Sequence, residues 1–259
     1  METVIQLADV SKAFRVDTGR TPLVGLLSGA FGNSQEKRFR YSLHNLNLTI
    51  TKGERVGLVG NNGAGKTTLL KLIAGLYAPT SGRIMVKGQV TFLAGFGIGM
   101  VDEMTVAENA FLYAAIYGVD RDEIEANLEE IVSWAGLTEF VQTRFKHLSD
   151  GMKIRLAFST TRYFDADIYL LDEALSAGDQ SFRKKCEQVF LDYKKSARTM
   201  LIASHNMTFV EDFCDKTIWI EGGKLIAFGE TKEVIANYLA VSGLKKKMNQ
   251  ETKCVVREQ

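Results

Sequence analysis

The stretch that most constrains this chain is "RVGLVGNNGAGKTTLLKLIAGLY", residues 55–77. An apolar strand runs into a glycine-rich turn, and the turn opens a helix. Gly60, Gly65, Lys66 and Thr67 fill the pattern G-x-x-x-x-G-K-[ST], which cradles phosphates because glycines let successive backbone N–H groups converge on anionic oxygens. The helix N-terminus adds positive potential at the same point. On this reading Gly60, Asn61, Asn62, Gly63, Ala64 and Gly65 form the loop. Lys66 reaches the β- and γ-phosphates, Thr67 offers a hydroxyl to a divalent metal, and Thr68 bonds the α-phosphate. A strand–loop–helix of this kind belongs to an α/β fold and excludes all-helical and all-β architectures.

Strands are predicted near Val4–Val10, Leu43–Ile50 and Arg55–Gly60, and the loop's helix is predicted to run to Tyr77 before Pro79. Two short strands, "RIMVKG" and "QVTFLAG", follow. Residues 105–161 carry an almost wholly helical periodicity. From Asp167 onward strand and helix alternate, which predicts a mostly parallel sheet. In "IYLLDEA", Asp172 is expected to end a strand beside the loop's strand and hold Mg²⁺ through water. Glu173 is placed to orient and deprotonate an attacking water. His205 ends the run "TMLIAS" and is expected to hold the γ-phosphate and that water in line.

Composition narrows the setting. The 259 residues carry a formal net charge of +1 and show no basic stripe, which argues against a nucleic-acid partner. Cys186, Cys214 and Cys254 fit no metal or redox spacing and suit a reducing compartment. The start "METVIQLADVSKAF" reads as a strand, not a signal peptide. No window reaches the roughly 18 uncharged apolar residues of a spanning helix. The tail "GLKKKMNQETKCVVREQ" reads as a solvated end, with lipid headgroups as the minor alternative.

Taken in order, the phosphate loop, helical insert, "LSDGM", "LLDEA", "SAGD" and "SH" resemble the nucleotide-binding domain of ABC transporters over about Glu2–Val241. The resemblance implies a P-loop NTPase core with a mostly parallel sheet, an N-terminal antiparallel β subdomain and an inserted helical subdomain at about 105–161. It implies one ATPase domain over 1–241 and a short C-terminal tail over 242–259. It implies ATP and Mg²⁺ as cofactors and a head-to-tail homodimer. In that dimer Ser149 and Gly151 contact the γ-phosphate in trans, and Asp179 lies at the seam. Phe14 matches the aromatic that stacks on adenine, with Tyr41 as a second candidate. Two features depart from the family pattern. Asp150 replaces a signature glycine, and a carboxylate about 5 Å from a phosphate charge costs roughly 3 kcal/mol at an effective dielectric near 20. The glutamine usual after "QVTFLAG" is missing.

"FLAGFGIGMVDEMTVAEN", "SDGM" and "DEALSAGDQSFRKKC" look like the branch that exports bacterial capsule, O-antigen and teichoic acid. That implies transmembrane permease subunits, a lipid-linked glycan handled indirectly, and a peripheral place on the cytoplasmic face of the inner membrane. Coupling helices of the partner are expected near "FGIGM" and the helical insert, and the segment 18–37 is a second candidate contact. A non-transport or regulatory ABC-type ATPase is the alternative. The lack of an Asn-Lys-x-Asp motif argues against a GTPase.

Overall fold

A computed structural model describes residues 2–16, 38–94, 99–172, 180–194 and 198–255. Two sheets organise them. Strands β1 (Thr3–Val16), β2 (Arg38–Thr51) and β4 (Ser81–Val86) form an antiparallel sheet in the order β2-β1-β4. The ribbon β1–β2 is longer than predicted. Backbone pairing carries β1 on to Val16 and starts β2 at Arg38, ahead of Leu43.

The second sheet has the order β5-β6-β7-β3-β8-β9, with β3 Arg55–Val59, β5 Val90–Ala94, β6 Ile168–Asp172, β7 Thr199–Ala203, β8 Lys216–Glu221 and β9 Lys224–Glu230. Only β9 pairs antiparallel, against β8. Every residue of β7 is buried, as are all but one of β3 and of β6. Such continuous apolar runs are what a sheet covered on both faces requires.

The strand order corrects one expectation. β7 lies between β3 and β6, so Asp172 ends a strand one removed from the loop's strand. The fully buried "TMLIA" fills that central slot. Helix α1 (Lys66–Ile73) packs against both β6 and β7 and so still reaches Asp172's strand. α1 also ends earlier than predicted. Gly75 takes φ 72°, its N–H donates to Leu72 O at 3.1 Å, and Leu76 N–H donates to Lys71 O at 2.9 Å. This is a Schellman stop, and it acts before Pro79 can.

The helical insert comprises α2 (Val106–Ile116), α3 (Arg121–Ala135) and α4 (Asp150–Thr161). Thr105 and Glu108 close a capping box on α2, and Gly136 at φ 69° ends α3. Between α3 and α4, residues 136–149 form turns and two 3-10 segments, Thr138–Phe140 and Phe145–His147. Helices α5 (Gln180–Lys194) and α6 (Met207–Phe213) flank the sheet. Helix α7 (Thr231–Val255) runs unbroken through 241–242. Among the described residues no helix is long and apolar enough to cross a membrane.

Candidate functional site: a phosphate cradle at the strand ends

The loop after β3 is held from two sides. Gly60 sits at φ 152°, and a Cβ there would lie 2.2 Å from Ile220 O on β8. Gly65 sits at φ 112°, and its Cβ would meet Leu43 Cδ2 at 2.6 Å and Ser42 O at 2.8 Å. Both glycines are therefore demanded by close neighbours as well as by the left-handed backbone. The glycine at 65 also starts α1, where no side chain caps the first N–H groups. Those donors face an open hollow of about 390 Å³, lined by residues 62–68 and Ser42.

Lys66 is 6% exposed and curls back along the loop. Its Nζ donates to Gly60 O at 2.8 Å and to Asn61 O at 3.3 Å. Thr67 lines this hollow and also a second cavity of about 870 Å³, whose wall includes Asp172. The two oxygen donors expected for a metal thus line one cavity, although the strand that ends at Asp172 is not the neighbour of β3. No cluster of three or more His, Cys, Asp or Glu forms a metal site among the described residues. One hydroxyl and one carboxylate, beside a place for phosphate oxygens, fit Mg²⁺, which keeps several waters and needs few protein ligands.

His205 is exposed just past the end of β7, between the ends of β6 and β3. Ser204 beneath it accepts a hydrogen bond from Asn206 N–H at 3.1 Å, and Asn206 Oδ1 caps α6 by accepting from Phe209 N–H at 3.2 Å. This short network fixes the turn that carries the histidine. Glu173 and Asp179 lie outside the described residues, as do residues 17–37 and 95–98.

Phe14 pairs across the ribbon with Arg40, is 37% exposed, and meets Tyr77 edge-on at 5.5 Å. Lys12 Nζ lies 5.1 Å from the Phe14 ring centroid and donates to Ala78 O at 2.8 Å. Tyr41 stacks on His44 at 4.9 Å. Neither aromatic lines the phosphate hollow; Ser42, next to Tyr41, does.

Neither Ser149 nor Gly151 lines the phosphate hollow of its own chain. Ser149 caps α4, its Oγ accepting from Met152 N–H at 3.3 Å. Asp150 follows in the first turn, exposed. A Cβ on Gly151 would meet nothing within 4 Å.

Three contributors have no motif to announce them. Ser42 Oγ lies 2.9 Å from Thr68 Oγ1. Gly223, in the β8–β9 turn, donates its N–H to Ala64 O at 3.0 Å and accepts from His44 N–H at 2.8 Å. Asn109, fully buried on α2, braces the segment before that helix. The last was open to suspicion in "VAENAF" as a polar residue on an apolar helix; the first two depend on pairings between distant segments.

The family described as "ABC transporter" matches residues 43–176. The chain is 35% identical over 242 residues to the O-antigen export system ATP-binding protein RfbB of Klebsiella pneumoniae, covering 92% of this chain and 98% of that one. It is 36% identical to the teichoic acids export ATP-binding protein TagH of Staphylococcus epidermidis, covering 98% and 95%. It is also 37% identical to an RfbB of Myxococcus xanthus, where it spans 56% of the relative's length. Among solved structures, the dimeric post-hydrolysis ATP-binding cassette MJ0796 with ADP and Pi superposes at TM-score 0.69 with 20% identity, covering 88% of this chain and 98% of that one. That likeness speaks for the fold. With a family match that spans the glycine-rich loop and near full-length relatives of 35–36% identity, the chain belongs to the ABC transporter family and is one of its ATPases.

Proposed function

We propose that this chain is the ATP-hydrolysing subunit of an exporter that moves a lipid-linked polysaccharide out across the bacterial inner membrane. A separate transmembrane subunit forms the path, and this chain works from the cytoplasmic face. The observation that carries the reading is near full-length similarity to O-antigen and teichoic acid export ATP-binding proteins, joined to an intact phosphate cradle.

The proposed division of labour follows from placement. Lys66 leaves the loop carbonyls for the β- and γ-phosphates, and Thr67 and Asp172 hold Mg²⁺ from their shared wall. Bound there, the metal neutralises developing phosphate charge. Glu173 takes the proton of the attacking water, and His205 holds the γ-phosphate. Phe14, 37% exposed, stacks on adenine. Ser149 and Gly151 complete the site of a second copy, which makes the working unit a homodimer, with Asp179 at its seam. Gly151 supports this, because no described residue lies within 4 Å of where its Cβ would stand.

Closure of that dimer moves the permease only if the permease's two states differ in affinity for it. The 870 Å³ cavity suits such a contact: Leu76 and Ile116, 60% and 54% exposed, rim it beside Phe92 and Tyr117. An amphipathic cytoplasmic helix of the partner fits that lining.

The test is Mg²⁺-dependent ATP hydrolysis and ATP-induced dimerisation of wild type beside Glu173→Gln. The variant should lose about 10²–10⁴-fold in rate, the scale of a general base, and trap the dimer. A wild-type protein that binds ATP without hydrolysing it would instead favour a regulatory ATP-binding role. Co-purification with a permease and glycan export in a reconstituted membrane decide the transport reading.

A further inference from the structure

The geometry points to Ser42 as a further nucleotide-site residue: it holds the Thr68 hydroxyl as a donor to phosphate, and the Gly222–Gly223 turn keeps it in place. The inference rests on the reading that residues 60–68 hold the phosphates of ATP.

Ser42 is the odd residue of a β-bulge. Along the ribbon Ala13 pairs with Tyr41 and Lys12 with Leu43, so Ser42 has no partner on β1. Bulges re-aim side chains, and here the hydroxyl is turned into the phosphate hollow, 2.9 Å from Thr68 Oγ1. The main chain of Ser42 is wedged between two glycines. A Cβ on Gly65 would lie 2.8 Å from its carbonyl oxygen, and one on Gly223 would lie 2.5 Å from it. Gly223 also bonds to the loop at Ala64 O and to β2 at His44 N–H. One turn therefore registers the antiparallel sheet against the phosphate loop.

The chemistry follows from donor counting. Each hydroxyl carries one proton and can accept as well, whereas a phosphate oxygen only accepts. When Ser42 donates to Thr68 Oγ1, the Thr68 proton is left for the phosphate. Donors in series polarise one another and strengthen the last bond. Without Ser42, a threonine in a helix turns its hydroxyl toward the carbonyl four residues back, here that of Ala64. Ser42 is thus a positioning residue acting through Thr68.

The experiment measures equilibrium binding of Mg-ATP, together with KM and kcat, on the full chain. Ser42→Ala should weaken ATP binding about three- to tenfold, the worth of one hydrogen bond, with the loss falling mainly on KM. Ser42→Thr should restore it. In a Thr68→Val background, Ser42→Ala should add nothing. Gly223→Ala should reproduce the KM rise by displacing Ser42. Gly222→Ala, equally left-handed at φ 54° but with nothing within 4 Å of its Cβ, should not. Normal binding by Ser42→Ala, or additive effects of Ser42→Ala and Thr68→Val, overturns the proposal. Should Gly223→Ala fail to fold, the Ser42 and Thr68 cycle decides alone. Lys66→Ala separates the two levels. If it has lost binding while Ser42→Ala has not, only the role of Ser42 falls; if it binds as wild type, the phosphate-loop reading falls and takes Ser42 with it.

Discussion

Replacing Asn109 should cost more stability than any nearby surface change, and aspartate should be a worse replacement than alanine. Asn109 is 0% exposed. Its Oδ1 accepts from Val101 N–H at 2.7 Å, and its Nδ2 donates to the carbonyls of Val101 at 2.9 Å, Met104 at 3.2 Å and Thr105 at 3.0 Å. Deleting the amide leaves those carbonyls with other donors: Met104, Phe145 and residue 109's own N–H. The Val101 N–H loses the acceptor it has, at about 1–3 kcal/mol, and the lost carbonyl bonds add about 1 kcal/mol. Asn109→Ala should therefore cost about 2–4 kcal/mol, or about 5–15 °C in Tm for a chain of this size. Asn109→Asp keeps the shape and the bond from Val101. It also turns an acceptor-only carboxylate toward three carbonyls. Its folded pKa must then rise above the unfolded value near 3.9, so the penalty is full at neutral pH and shrinks as pH falls through the folded pKa. Thermal unfolding followed by circular dichroism at pH 7.5 and 5.5 measures both. An aspartate variant more stable than the alanine variant at pH 7.5 would refute the placement of Nδ2. A cost under about 1 kcal/mol for alanine would refute the bracing role. Activity should fall too, below the melting range, because this segment ties to α4 through Lys153–Asp102 at 3.0 Å.

Two further outcomes follow from the charges. Burial raises the Glu54 pKa, but the bonds from Lys216 Nζ at 2.6 Å and Thr51 N–H at 2.9 Å outweigh it, and the net shift is downward. Glu54 therefore stabilises the fold above its unfolded pKa and loses that contribution as pH falls through the folded value. Glu54→Gln should cost about 1 kcal/mol at pH 7, discounted for the partly exposed lysine, and almost nothing near pH 3 in denaturant titrations. Asp150→Gly should raise ATP hydrolysis about two- to tenfold by removing a carboxylate from an anion-facing helix start, a gain partly offset by the lost helix-dipole pairing. An unchanged rate would mean that the carboxylate does not face the phosphate.

The phosphate loop was legible because its whole specification lies within "GLVGNNGAGKTTLL": glycines, lysine, threonine and a buried strand in one contiguous run. The strands themselves were legible from their apolar runs, but their order was not. "RVGLV", "IYLLD" and "TMLIA" are equally apolar, and nothing local says which occupies the centre. Packing of α1 on β6 and β7 is what lets Thr67 and Asp172 line one cavity. Helix ends were misplaced where backbone geometry outruns periodicity, as at Gly75, whose left-handed turn closes α1 ahead of the proline. Ser42 was invisible for a different reason. Its place depends on a bulge and on a glycine turn about 180 residues later in the chain, so only tertiary registry shows that its hydroxyl meets Thr68.

Gly151 separates what this chain needs from what a partner copy needs. Gly60, Gly65 and Gly223 are each explained at home, since a Cβ at any of them runs into backbone closer than 3.0 Å. Gly151 is helical, and among the described residues nothing lies within 4 Å of where its Cβ would stand. Folding alone would favour alanine there by up to about 1 kcal/mol, because glycine loses more backbone entropy in a helix. Gly151→Ala should thus be as stable as wild type, or slightly more so, in thermal unfolding of the isolated chain. If a second copy brings its ATP phosphates against this helix start, the added methyl stands where backbone N–H groups must approach. ATP-driven dimerisation, measured by sedimentation of the Glu173→Gln form with and without Gly151→Ala, should then weaken while single-chain nucleotide binding persists. Equal dimerisation by both forms would place the signature away from the nucleotide and remove the reason for a glycine at 151.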